Sequence, residues 1–156
     1  MNAIVKHTGG LGFIGKGDTN HWVVLDGPTE LGGENAGSRP KEILLLALGG
    51  CTGADVASLL TKMRVPFRKL EIALAAETAT EHPQVFTRID LTYQLEGDNL
   101  DVSKIERAVR LSQDKYCPVS AMLRAAVPIH WTAEVNGRRV LSSSENLGSP
   151  LAGPAV

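Results

Sequence analysis

The chain is 156 residues long, 43% hydrophobic and 21% charged, which suits one globular domain with an ordinary apolar core. A net charge of -1 and an aromatic content of 4% exclude the basic footprint and the stacking platforms of a nucleic-acid binder. Two cysteines without a secretory leader point to a reducing cytoplasm, where a thiol pair reads as catalytic or redox-active before it reads as a staple.

Residues 2–7 form a short apolar-centred run, an expected strand. Gly10, Gly12 and Gly15 then match G-x-G-x-x-G, the dinucleotide-binding fingerprint. That motif needs a helix opening inside it. Here Lys16-Gly17-Asp18-Thr19-Asn20 reads as a turn and residues 21–26 as another strand, so a glycine-rich β-meander is the expectation.

Residues 29–37 read as a loop. Residues 38–63 then read as one long helix, with Ser38 as its cap, Pro40 in its first turn and Pro66 beyond its end. Ile43, Leu44, Leu45, Leu46 and Leu48 surround most of its circumference. A helix apolar on all sides needs cover on all sides. A second copy of the chain is the expected source, hence a homodimer. Four polar residues, Thr52, Asp55, Ser58 and Thr61, interrupt the helix, so no membrane span is expected. Gly49, Gly50 and Gly53 sit mid-helix; close approach of another backbone and room for a ligand beside Cys51 both account for them.

Residues 68–78 and 85–95 alternate and form an expected hairpin. Leu70, Ile72, Leu74 and Ala76 share a face of one strand; Val85, Ile89, Leu91, Tyr93 and Leu95 share a face of the other. Asp101 or Ser103 can cap a second helix whose buried face is Val102, Ile105, Val109, Ser112 and Tyr116. Cys117 precedes Pro118, which breaks that helix and starts a short one over residues 119–126. Ile129, Trp131, Ala133 and Val135 alternate as a last strand. Residues 1–137 are the expected single domain and 138–156 a mobile tail.

Locally, Cys117 has the better nucleophile setting, because a helix N-terminus favours a thiolate. Cys51 lies mid-helix among apolar residues with the anion Asp55 one turn on, which raises a thiol's pKa. His7, His21, His82 and His130 lack metal-ligand spacing, so neither zinc nor any other cofactor is expected. No G-x-S-x-G elbow suggests a serine hydrolase.

Two stretches together resemble a family. Arg39-Pro40-Lys41-Glu42, a leucine-rich helix and Ala47-Leu48-Gly49-Gly50-Cys51 look like the first cysteine helix of the OsmC/Ohr family. Tyr116-Cys117-Pro118-Val119-Ser120 looks like its second cysteine motif. The order of elements over residues 2–137 is similar too, and Leu-Gly-Gly-Cys-Thr-Gly resembles a less characterised branch. The resemblance implies an α+β fold, with a long central cysteine helix and antiparallel β-sheets wrapped around it in an intertwined homodimer. It implies reduction of organic hydroperoxides, with Cys51 peroxidatic and Cys117 resolving. An external dithiol, often a lipoyl group, would reduce the disulfide. Peroxidase members place an arginine in the N-terminal segment and a glutamate directly after the helix-start proline. Here no arginine precedes Arg39, Lys41 follows Pro40, and Glu42 comes one position later. Glu42 and Arg39 are the candidate activating pair, with Lys6 and Lys16 as other cations. A non-peroxidase member of the fold, binding a small apolar or acyl ligand or sensing redox state, is the alternative.

Overall fold

The computed structural model describes residues 1–143. They fall into two compact units, residues 1–47 and residues from Leu48 onward. Most of the expected tail, residues 144–156, lies outside the described residues.

The first unit is an antiparallel sheet of order β1-β2-β3, with β1 Ala3–Gly9, β2 Gly12–Gly17 and β3 Val23–Leu25. The glycine-rich stretch is the β1–β2 hairpin itself. Gly9 and Gly10 take φ of 123° and 51°, a backbone that residues with a Cβ rarely adopt. No helix opens inside the fingerprint, so the meander expectation holds. After β3 the buried carboxylate of Asp26 organises the loop. It accepts from the N–H groups of Gly27 at 2.7 Å, Glu34 at 3.0 Å and Ala36 at 3.0 Å. These donors, Ala36 foremost, hold its carboxyl below the usual carboxylate range.

Helix α1 runs Pro40–Lys62, starting in the first unit and carrying its cysteine in the second. The expected Ser38 cap is corrected: the helix begins at Pro40 and the Arg39 carbonyl accepts from Ile43 N–H at 3.1 Å, so Arg39 holds the N-cap position and Ser38 precedes it. Glu42 instead reaches back to the Arg39 N–H at 2.9 Å, satisfying a helix-end donor as the glutamate of a capping box does. The helix ends in a Schellman closure. Val65 N–H bonds the Leu60 carbonyl and Arg64 N–H the Thr61 carbonyl, with Arg64 at φ 56°.

In the second unit, β4 (Phe67–Thr78), β5 (Phe86–Gly97), β6 (Ile129–Val135) and β7 (Arg138–Ser142) form a sheet in that order. The β5–β6 pair is parallel, the others antiparallel. A parallel pair needs a crossover. It is supplied by α2 (Val102–Leu111), a π-helical turn (Ser112–Tyr116) and α3 (Pro118–Arg124). Asp101 caps α2 by accepting from the N–H groups of Ser103 and Lys104. The hairpin faces are as expected except at Val85, which is exposed and lies before β5 in the turn. β7 corrects the boundary placed at residue 137: residues 138–142 pair with β6 through partners such as Ala133 and Leu141.

The core of this unit is Ile89, Leu91, Tyr93 and Leu95 of β5, Ile105, Ala108 and Val109 of α2, Trp131 and Ala133 of β6, and α1. From Leu48 on, α1 buries one stripe at fourfold spacing, Leu48, Thr52, Val56 and Leu60. Leu44 and Leu46 stay exposed, so in the single chain the helix is not covered on all sides. A Cβ at Gly49 would stand 2.7 Å from Leu74 Cδ1, and one at Gly53 would stand 3.2 Å from Ile72 Cγ1. Close approach of β4, through its side chains, therefore explains these two glycines.

Candidate functional site

The two cysteines are brought together. Cys51 sits halfway along α1 and is half-buried; Cys117 is buried, and both are free thiols. The route to Cys117 is the π turn. Its Cys117 N–H bonds the Ser112 carbonyl five residues back, at 2.9 Å. This extra residue per turn rotates the next residues away from the α2 register. Tyr116, expected on the buried face, is consequently exposed, and Cys117 becomes the residue that starts α3. The Cys117 sulfur accepts from Ser120 N–H at 3.3 Å, as an N-cap does.

Burial pushes the Cys51 thiol above its ordinary pKa, and a hydrogen bond with the Cys117 thiol pushes it further. The charges of Cys117 and Asp55 act in the same direction, while the Val119 N–H pulls the other way. The direction is the one the sequence suggests for a thiol mid-helix among apolar residues. In the first turn of α3, the Ser120 hydroxyl is fully buried and has no hydrogen-bond partner among the described residues.

Behind the thiols lies a buried polar cluster. Thr52 Oγ1 is 2.6 Å from Tyr93 OH and 2.8 Å from Ser112 Oγ. Gln113 Nε2 donates to Tyr93 OH at 2.7 Å and to Thr52 Oγ1 at 3.1 Å. Ser112 Oγ donates to Asp55 Oδ2 at 3.1 Å, and an Arg124 guanidinium N–H donates to Gln113 Oε1 at 3.1 Å. Burial pushes the Tyr93 phenol up to about 12. Sequence reasoning missed Thr52, Tyr93 and Gln113 as site residues. The available signal was Ser112, a polar side chain on the otherwise apolar face of α2.

Glu42 and Arg39 are brought to each other, with Arg39 Nη1 3.6 Å from Glu42 Oε1 at the start of α1. Both belong to the first unit; Cys51 and Cys117 belong to the second. Lys6 and Lys16 stand over the Trp22 ring, at 5.7 and 4.8 Å from its centre.

The arrangement can do two-electron thiol chemistry: two adjacent sulfurs, one on a long helix and one at a helix start, able to interconvert with a disulfide. The OsmC family model, described as OsmC-like protein, matches residues 32–132. Protein YhfA of Escherichia coli strain K12 is 40% identical over 135 residues, covering 86% of this chain and 98% of YhfA. A solved structure of a hypothetical protein from Aquifex aeolicus VF5 is 27% identical. It covers 86% of this chain and 96% of its own, with a TM-score of 0.73. An organic hydroperoxide resistance protein OsmC from Legionella pneumophila shares the fold at 18% identity and a TM-score of 0.65, covering 86% of this chain and 98% of its own.

Proposed function

The chain belongs to the OsmC family, and from that premise we propose that it is a thiol-dependent peroxidase acting on organic hydroperoxides in oxidative-stress defence. The observation that carries the reading is the hydrogen bond between the Cys51 and Cys117 thiols. In the first step the Cys51 sulfur attacks the terminal peroxide oxygen. The O–O bond breaks, an alcohol leaves, and Cys51 becomes a sulfenic acid. In the second step the Cys117 sulfur attacks the Cys51 sulfur and water leaves, giving a Cys51–Cys117 disulfide. An external dithiol, of which a lipoyl group is one class, then reduces that disulfide. Overall, one hydroperoxide and one dithiol give an alcohol, water and the oxidised dithiol.

The working form is proposed to be a cytoplasmic homodimer. Uncovered apolar side chains support this, Leu44 and Leu46 on α1 together with Ile4, Val5, Phe13, Trp22, Val23 and Val24 of the first unit. The test of the activity is consumption of an organic hydroperoxide with dihydrolipoamide. Wild type is expected to turn over and Cys51→Ser to be inactive; equal rates for the two overturn the reading.

A second reading is favoured by one observation, the pKa of Cys51, which lies above its ordinary value. A protonated thiol is a poor nucleophile toward peroxide. This suits a small-ligand-binding member of the family.

A further inference from the structure

The buried cluster behind the thiols has a fixed polarity. Arg124 only donates, and it faces one end of the Gln113 side-chain amide. That end is therefore the oxygen, and Nε2 is turned toward Tyr93 and Thr52 with two hydrogens to give. With Gln113 donating to it, Tyr93 OH finds its own acceptor in Thr52 Oγ1, at 2.6 Å. Thr52 Oγ1 then has both lone pairs filled, and its hydrogen goes to Ser112 Oγ at 2.8 Å. The Ser112 hydrogen goes to Asp55 Oδ2 at 3.1 Å, in preference to the Thr52 carbonyl at 3.5 Å. Every hydrogen runs one way, from Gln113 through Tyr93, Thr52 and Ser112, and the chain ends on a carboxylate, which only accepts.

Thr52, Tyr93 and Ser112 are fully buried and Gln113 is 2% exposed, so the chain is shielded from water that could scramble it. Its terminus, Asp55, is one helical turn from Cys51 on the same helix, where residues four apart are neighbours.

We propose that Asp55 is a positioning residue that adds to burial and to Cys117 in favouring the thiol form of Cys51, and that the hydroxyl chain from Gln113 fixes its carboxylate in the place where it does so. The inference deepens the thiol-redox reading and rests on it for its biological meaning. The groups acting on Cys51 come from two elements: Asp55 from α1, and Cys117 and the opposing Val119 N–H from the start of α3. Tyr93 from β5 lies within reach of the charges of Asp55 and Cys117. The cluster's own cation, Arg124, is engaged with Gln113 and with Asp114 at 3.8 Å.

The experiment is the pH dependence of Cys51 alkylation by iodoacetamide in the full chain, with Cys51 and Cys117 separated by peptide mass. Asp55→Asn keeps the volume and an acceptor oxygen for Ser112 while removing the charge. Its alkylation midpoint is expected to fall, and below the midpoint its rate to exceed that of wild type. Asp55→Glu, which restores the charge, is expected to stay near wild type, and Ser112→Ala to shift the midpoint less than Asp55→Asn. An Asp55→Asn midpoint equal to wild type overturns the proposal. Asp55→Ala gives the same reading if Asp55→Asn does not fold. Alkylation needs no peroxide, so a shifted midpoint in a protein that consumes none leaves the inference standing and removes the peroxidase reading alone.

Discussion

Thr52 Oγ1 and Tyr93 OH stand 2.6 Å apart in the core, joining the residue after Cys51 on α1 to the centre of β5. The Tyr93 phenol is pushed up to about 12, by burial first, against an unfolded value near 10. A folded pKa above the unfolded one contributes stability that is complete below about pH 10 and is lost as pH rises toward 12. Urea unfolding across that window is expected to show wild type losing about 2–3 kcal/mol more than Tyr93→Phe. Equal alkaline losses in the two proteins would argue against a buried neutral phenol. At neutral pH Tyr93→Phe is expected to be the less stable by about 1–2 kcal/mol, because Gln113 loses an acceptor.

Ser120 makes the opposite prediction. Its buried hydroxyl has no partner among the described residues, and an unmet buried donor is a net cost. Ser120→Ala keeps the N–H that bonds the Cys117 sulfur. The variant is expected to raise stability by about 1 kcal/mol in denaturant titration. A loss of stability would mean that the hydroxyl is satisfied in solution.

Arg64 closes α1 with a left-handed φ of 56°, a conformation that favours glycine. Arg64→Gly is expected to stabilise the chain by roughly 0.5–1 kcal/mol, read as a higher urea midpoint at unchanged slope. A lower midpoint would mean that the arginine side chain contributes more than the backbone strain costs.

The exposed apolar side chains of α1 and of the β1–β3 sheet need cover. Light scattering at micromolar concentration is expected to give twice the chain mass. Leu46→Glu, at a position 60% exposed in the single chain, is expected to shift that mass toward the monomer. A monomeric wild type would remove the homodimer from the account.

Much of the fold is legible in the sequence because its signals are local. Alternation identifies β4, β5 and β6, and Cys117-Pro118 marks the start of α3. The elements that escape the sequence depend on neighbours. Arg138–Ser142 has no alternation and becomes β7 only because β6 offers it an edge. The π turn is invisible in periodicity, so Tyr116 reads as inward while the extra residue turns it out. Ser38 looks like a cap, yet the helix starts one residue later, with Arg39 in the cap position and Glu42 bonding its N–H. At the site, both cysteines stand out by residue type and motif. The hydroxyl chain does not, because Thr52, Tyr93 and Ser112 lie on three elements and only their folded spacing makes them one network.

The most direct test of the central claim is the intact mass of the chain after brief treatment with an organic hydroperoxide, followed by peptide mapping. The account predicts a loss of two hydrogens per chain and a single new cross-link between Cys51 and Cys117. Cys51 recovered as a free thiol under excess peroxide would contradict it.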